Sequence, residues 1–216
     1  MLLSDTDRER VNARVAQAER RVAAQVVTAV VAKADAYPEL PWKAYALATA
    51  LAMLAAAVSA AFHPGWSPLP DPRLLLVAVL GAGVAAAAVT VLVPRLARVL
   101  LSDVRTEGEV RQYAQALFLD RELFRTRTRT AVLLLVSQFE RRVIVLPDRG
   151  IPAAIGEADW QAVVRAMTPA LAAGRIADAL IEGVGRVEAL LAAHGMAQPT
   201  PGGDTLPDVI EGGPAR

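Results

Sequence analysis

The chain has 216 residues, and 54% of them are hydrophobic; its mean hydropathy of +0.36 is too high for an ordinary water-soluble domain and too low for a chain embedded wholly in a membrane. Lys and Arg (23) nearly balance Asp and Glu (22), and this excludes the basic surface that binding to nucleic acid requires. The absence of cysteine excludes disulfides, thiolate metal sites and a thiol nucleophile.

Residues 1–43 predict the first part of an α/β domain. Ser4 is a candidate N-cap with Asp7 at the capping-box position, and valines and alanines then recur at helical spacing, which predicts a helix over residues 5–23. The β-branched run 25–32 predicts a strand. A linker with two prolines leads from this strand to the next segment.

Residues 44–93 predict a transmembrane helical hairpin. Residues 44–62 and 74–93 contain no charged side chain, and each is long enough as a helix to cross the roughly 30 Å hydrocarbon core of a bilayer. A proline-rich connector, residues 63–73, joins them. Small residues at helical spacing favour close antiparallel pairing and leave homo-oligomers open; they are Ala48, Ala52, Ala56, Gly81, Ala85 and Ala88. The alternative is a buried helical hairpin of a soluble protein.

The distribution of basic residues predicts the orientation of this hairpin. Five Lys or Arg residues flank its two outer ends, namely Lys33, Lys43, Arg95, Arg98 and Arg105, whereas the connector contains only Arg73. Positively charged flanks stay on the cytoplasmic side. We therefore expect a multi-pass membrane protein, with the lipid bilayer as one partner and with both termini and the α/β domain in the cytoplasm.

Residues 94–195 predict the remainder of the α/β domain. A basic amphipathic stretch, residues 94–101, precedes a predicted helix over residues 107–124. Residues 131–137 (AVLLLVS) are typical of a strand covered on both faces, and residues 142–146 are predicted as its antiparallel neighbour. Two further helices are predicted over residues 157–173 and 175–194. We expect the strand at 25–32 to pair with 131–137 across the hairpin.

The glycine-rich and proline-rich residues 196–216 predict a disordered tail, because their scattered apolar residues do not suffice for a core.

An ordered set of motifs in the second half carries a family resemblance. The set comprises FRTRTRT (124–130), AVLLLVS (131–137), FERRV (139–143), DRGI (148–151), Trp160 and AGRIADAL (173–180). Together they resemble the TPM domain family, and more closely a bacterial membrane-protein branch with a transmembrane pair inserted after the first strand. The resemblance covers about residues 3–193 and implies a small Rossmann-like α/β sandwich interrupted by a two-helix transmembrane hairpin, in the inner membrane of a bacterium. Relatives in this family resemble thylakoid-lumen proteins of photosystem II repair, one with acid phosphatase activity, and an auxiliary subunit of a nematode acetylcholine receptor.

The sequence contains candidate ligands for a metal ion but no recognisable set of catalytic residues. His63 lies in the connector and His194 at the end of the last helix, so they form no acid/base pair. Carboxylates near the predicted strand ends give Asp120, Asp148 and Asp159 as candidate ligands of Ca²⁺ or Mg²⁺. The alternative is that they are solvated carboxylates. No catalytic residue and no cofactor are predicted.

Four arginines lie close together before the strand at 131–137, namely Arg121, Arg125, Arg127 and Arg129. They could contact anionic lipid headgroups; the alternative is that they lie in a solvated loop. Trp160 and the stripe of Val163, Val164 and Met167 are interpreted as helix packing against the sheet.

Two functions follow from this sequence. The first is a non-catalytic accessory, assembly or interaction module for a membrane complex, with another membrane protein as its partner. The second is a membrane-bound, metal-assisted phosphatase that uses carboxylates around Asp148, as the family resemblance implies.

Overall fold

The computed structural model of the protein describes residues 2–62, 71–101, 103–197 and 209–212. The chain divides into two compact units, Met1–Asp35 with Glu107–Arg216 and, separately, Ala36–Thr106. The elements are α1 (Asp5–Glu19), β1 (Gln25–Val31), α2 (Glu39–Phe62), α3 (Pro72–Leu92), α4 (Pro94–Val99), α5 (Asp103–Asp120), a 3-10 helix (Leu123–Arg125), β2 (Ala131–Ser137), β3 (Arg142–Pro147), α6 (Glu157–Ala172), α7 (Ile176–Ala193) and β4 (Val209–Gly212).

The first unit is built on a four-stranded sheet with the order β3-β2-β1-β4. Strands β1 and β2 pair in parallel, with Gln25 opposite Ala131 and Val31 opposite Ser137. Strand β3 is antiparallel to β2. The predicted pairing of the first strand with residues 131–137 across the insertion is confirmed, and so are the antiparallel return strand and the α/β class.

Helices cover both faces of this sheet. On one face Val26, Val132 and Leu134 pack in a core with residues of α1, α6 and α7. On the other face Leu133 and Leu135 pack with α5. All seven residues of β2 are buried, as a continuous apolar run predicts for a strand with helices on both sides.

Strand β4 differs from the prediction of a disordered tail. Residues 209–212 pair in parallel with β1, with Thr28 opposite Val209 and Val31 opposite Gly212. Ile210 is buried in the sheet. The open edge of β1 offers unpaired backbone groups and an apolar surface, so a short Val-Ile pair gains both hydrogen bonds and burial there. The other residues of the predicted tail beyond 197 lie outside the described part of the chain.

Charged side chains join α1 to α7. Arg14 Nη2 lies 2.5 Å from Glu188 Oε2, and Arg21 Nη1 lies 3.1 Å from Glu188 Oε1. Burial acts to raise the pKa of the Glu188 carboxyl, but the hydrogen bonds and charges of Arg14 and Arg21 outweigh it and hold that pKa below its ordinary value. The ionised carboxylate therefore stabilises the folded state.

We expect Glu188→Gln to lower the stability at neutral pH and to have little effect in acid. The pKa of Glu188 is lower in the folded state than the 4.5 of a free glutamate. Its stabilising contribution is therefore complete above about pH 4.5 and is lost as the pH falls through the folded pKa. Melting temperatures of the wild type and the variant, measured from pH 7 down to pH 3, should converge. Parallel curves over this range would contradict the assignment.

The second unit contains α2 and α3, with 24 and 21 residues. Both helices are long and apolar enough to cross a membrane. Helix α2 begins at Glu39, five residues before the predicted span, because Pro41 falls in the first turn, where a missing N–H is tolerated. Asp71 caps α3 by accepting a hydrogen bond from the Arg73 backbone N–H. Most of the predicted connector, residues 63–70, lies outside the described residues.

The two helices approach each other through Gly83 of α3. A Cβ atom at this position would lie 2.8 Å from Tyr45 Cδ2 and would also clash with Thr49 Oγ1. The prediction for the packed face of α3 is wrong. The predicted small residues Gly81, Ala85 and Ala88 are exposed. The buried residues of α3 are instead Val79, Gly83 and Thr90. The stripe of α2 is half-buried, as expected for a packed face.

Candidate functional site

Asp148 follows β3 and is held by a fork of hydrogen bonds. Arg129 Nε donates to its Oδ2 at 2.9 Å, and Arg129 Nη2 donates to its Oδ1 at 3.1 Å. The Arg149 backbone N–H also donates to Oδ1. The Asp148 side chain is only 3% exposed. A buried carboxylate with this many donors is satisfied by the protein itself.

The loop that supplies Arg129 is tightly built. Arg129 has a positive φ of 57°, and its carbonyl oxygen accepts a hydrogen bond from the Gly150 N–H. Its guanidinium also lies over the Phe124 ring, 5.5 Å from the centroid. The hydrogen bond and charge of Asp148 raise the pKa of Arg129 despite partial desolvation. The segment therefore orients one arginine toward one carboxylate.

These ion pairs reduce the number of arginines that are available for the predicted contacts with lipid headgroups. Arg125 pairs with Glu122 at 2.5 Å, and Arg129 pairs with Asp148. Two of the four arginines thus already have acidic partners. Arg121 and Arg127 remain exposed, so the lipid hypothesis now rests on these two side chains.

The three candidate metal ligands lie on different elements. Asp120 is the exposed last residue of α5. Asp159 lies in the first turn of α6, where its Oδ2 accepts a hydrogen bond from the Gly156 N–H at 2.9 Å. Within the described ranges, no group of three His, Cys, Asp or Glu side chains is arranged to hold a metal ion. A metal-binding role for Asp120, Asp148 and Asp159 stays a prediction.

We expect Asp148→Asn to lower the melting temperature more than Asp159→Asn does. The first change removes a charge-assisted fork from a buried position, whereas the second alters an exposed helix start. Differential scanning calorimetry of both variants would measure this. Equal melting temperatures for the two variants would contradict the structural role of Asp148.

A second buried carboxylate, Glu140, was not singled out from the sequence. Its Oε1 accepts a hydrogen bond from the Ala34 backbone N–H at 2.9 Å, and its Oε2 accepts one from the Ser137 hydroxyl. These contacts tie the end of β1 to the turn between β2 and β3. A charged residue three positions after the end of a continuous apolar strand was the available signal.

His194 does not join either carboxylate. Its Nδ1 lies 2.9 Å from the Leu190 carbonyl oxygen at the end of α7. His63 lies outside the described residues. The structure therefore adds no support for a catalytic role of His194.

A cleft of about 680 Å³ runs along β3. Its walls come from β3, the turn before it, α6 and the start of α5, and the residues most relevant here are Arg111, Arg141, Arg142, Val143, Val145 and Trp160. Trp160, Val163 and Met167 are buried in the core as predicted, while Val164 is half-buried and lines the cleft. Apolar walls with convergent polar groups are typical of a binding site.

Comparison with known proteins finds a match to a domain family. The family model for the TPM domain matches residues 86–190. A similar solved structure is the NMR structure of BA42 protein from the psychrophilic bacterium Bizionia argentinensis, with a TM-score of 0.57 and 11% sequence identity, covering 97% of this chain and 95% of that chain. At this identity the similarity supports the fold alone. Among curated proteins, none matches the chain.

Proposed function

Because residues 86–190 match the family model of the TPM domain, we propose that the chain is a membrane-anchored accessory protein. In this proposal α2 and α3 cross a bilayer as a hairpin, and the α/β unit is an interaction module for another membrane protein. The bilayer is that of the bacterial inner membrane, and the α/β unit is cytoplasmic.

The observation that carries the proposal is the exposure of large apolar side chains on both long helices. On α2 they include Leu47, Leu51, Leu54 and Val58; on α3 they include Leu76, Val77, Val84 and Val91. No residue in the most apolar stretch of α2 is buried, and 11% of the residues in that of α3 are. A surface of this kind is costly in water and favourable in hydrocarbon.

Two features of the α/β unit support a non-catalytic role. The buried carboxylates Glu140 and Asp148 both accept hydrogen bonds from groups that hold the fold together. A hydrolase that uses acid–base catalysis needs a nucleophile activated by an adjacent base. In the described part of the chain, neither carboxylate has a histidine beside it that could be this base. These groups act as structural ties between loops and strands.

The flanking charges support the proposed orientation. Single cysteines at Ser67 in the connector and at exposed Ala173 after α6 can be labelled in this cysteine-free chain with a membrane-impermeant maleimide. In intact cells we expect labelling at position 67 and none at 173. Labelling at 173 alone would reverse the proposed orientation.

The functional proposal is tested by purification of the tagged chain in mild detergent. Co-purifying proteins are identified by mass spectrometry, and phosphatase activity is measured on the same sample with and without Ca²⁺ or Mg²⁺. We expect a stoichiometric membrane-protein partner and no turnover. Metal-dependent turnover without such a partner would instead favour the phosphatase hypothesis.

A further inference from the structure

Strand β3 is an edge of the sheet over the described residues. The Asp148 N–H donates to the Ala131 carbonyl, so this opposed pair is hydrogen-bonded. In an antiparallel ladder hydrogen-bonded and non-hydrogen-bonded pairs alternate. The register then places the N–H and C=O groups of Ile144 toward β2 and those of Val143 and Val145 toward the free edge. Pro147, which lacks an N–H, falls in the same outward set.

The cleft follows this free edge. Val143, Ile144 and Val145 all line it, although alternate residues of a strand point to opposite faces of the sheet. The cleft is also lined by α6, which packs on one face of the sheet, and by α5, which packs on the other, so it wraps around the edge. The walls are α6 on one side and Glu107 and Arg111 of α5 on the other. Strand β3 has six residues, which corresponds to an edge about 20 Å long.

The charges around the cleft favour an acidic occupant. Three arginines line it, Arg111, Arg141 and Arg142, against two glutamates, Glu107 and Glu157. Arg141 is exposed at the turn before β3, next to Arg142. Arg111 is 3.9 Å from Glu107, so this pair is a loose one.

We propose that an extended segment of a partner protein adds to the free edge of β3 as a further strand of the sheet. Its backbone bonds to the outward groups of Val143 and Val145, its apolar side chains lie against Trp160 and Val164, and its acidic residues lie beside Arg141. The inference rests on the proposed role as an interaction module and assigns the surface and the chemistry of the partner.

The test uses the full chain in detergent and fluorescein-labelled peptides of about eight residues, a length typical of strands. One peptide alternates valine and threonine and ends in glutamates; the other ends in lysines. We expect the glutamate peptide to bind, and Arg141→Glu to weaken its binding about tenfold while strengthening that of the lysine peptide. Arg165→Glu, on α6 at an exposed position outside the cleft, is the matched control and should change neither.

Amide hydrogen exchange gives a second readout. On binding of the glutamate peptide, exchange at Val143 and Val145 should slow, while that at Ile144, already bonded to β2, should not change. Failure of the peptide to bind, equal binding of both peptides, or binding without protection at these two amides would overturn the inference. If the chain still retains a membrane-protein partner in that case, the proposed function stands and only the assigned surface is wrong.

Discussion

Gly150→Ala is expected to lower the free energy of unfolding by about 3 kcal/mol, at the upper end of the usual cost of overpacking. A Cβ atom at this position would lie 2.6 Å from the Arg129 carbonyl oxygen and would also clash with the Thr128 carbonyl oxygen. Both obstacles are backbone atoms, so neither can rotate away. The segment that carries Asp148 must then move from the loop that carries Arg129, and the fork between them is lost.

The measurement is the melting temperature of the purified chain in detergent. For a chain of this size about 3 kcal/mol corresponds to a fall of roughly 6 to 12 °C. Gly108→Ala is the control, because nothing lies within 4 Å of the added Cβ in α5 and alanine favours a helix by up to about 1 kcal/mol. Equal melting temperatures for the two variants would contradict the close approach at Gly150.

Gly83→Val is expected to separate α2 from α3 and to cost about 2 to 3 kcal/mol of helix pairing. The added atoms meet the Tyr45 ring and the Thr49 hydroxyl. Without a hydrophobic driving force between helices in lipid, close packing at small residues is the main source of their association. Tyr45 also contacts the edge of Trp42, with 6.2 Å between ring centroids, so displacement of Tyr45 should change the fluorescence of Trp42.

Gly81→Val is the matched control for this position. It introduces the same side chain two residues away on α3, where nothing lies within 4 Å. We expect thermal unfolding and tryptophan emission in detergent to change for the Gly83 variant alone. Equal effects of both substitutions would mean that α2 and α3 do not pair through the face assigned here.

The sequence predicted the parts of the fold that depend on local pattern. The apolar run 131–137 forms β2 with the predicted bounds, because a strand covered on both faces needs apolar residues at every position. The pairing of β2 with β1 across the insertion could be predicted because both strands are apolar runs with predicted helices before and after them. Ser4 caps α1 as expected, accepting a hydrogen bond from the Asp7 N–H at 3.1 Å.

Features that depend on tertiary contacts could not be predicted in the same way. The face of α3 that meets α2 includes Gly83 rather than Gly81, and in a helix composed almost wholly of small and apolar residues no polar position marks the packed side. Strand β4 forms because β1 offers an open edge, which residues 209–212 do not reveal by themselves.

The candidate site shows the same limit. Asp148 was predicted as a potential metal ligand from its place after a strand, but its pairing with Arg129 depends on a loop geometry with positive φ that sequence spacing does not show. Over the described residues, the position of β3 at an edge of the sheet likewise became known only with the order of the strands.

Helices α2 and α3 are proposed to anchor the chain in a bilayer. The most direct test is to express the full chain in a bacterial host, wash the membranes with alkaline carbonate and float them on a density gradient. We expect the chain to stay with the floating membranes and to be released only by detergent. A chain recovered in the soluble fraction after the wash would contradict it and would mean that the exposed apolar surfaces of α2 and α3 are covered by protein.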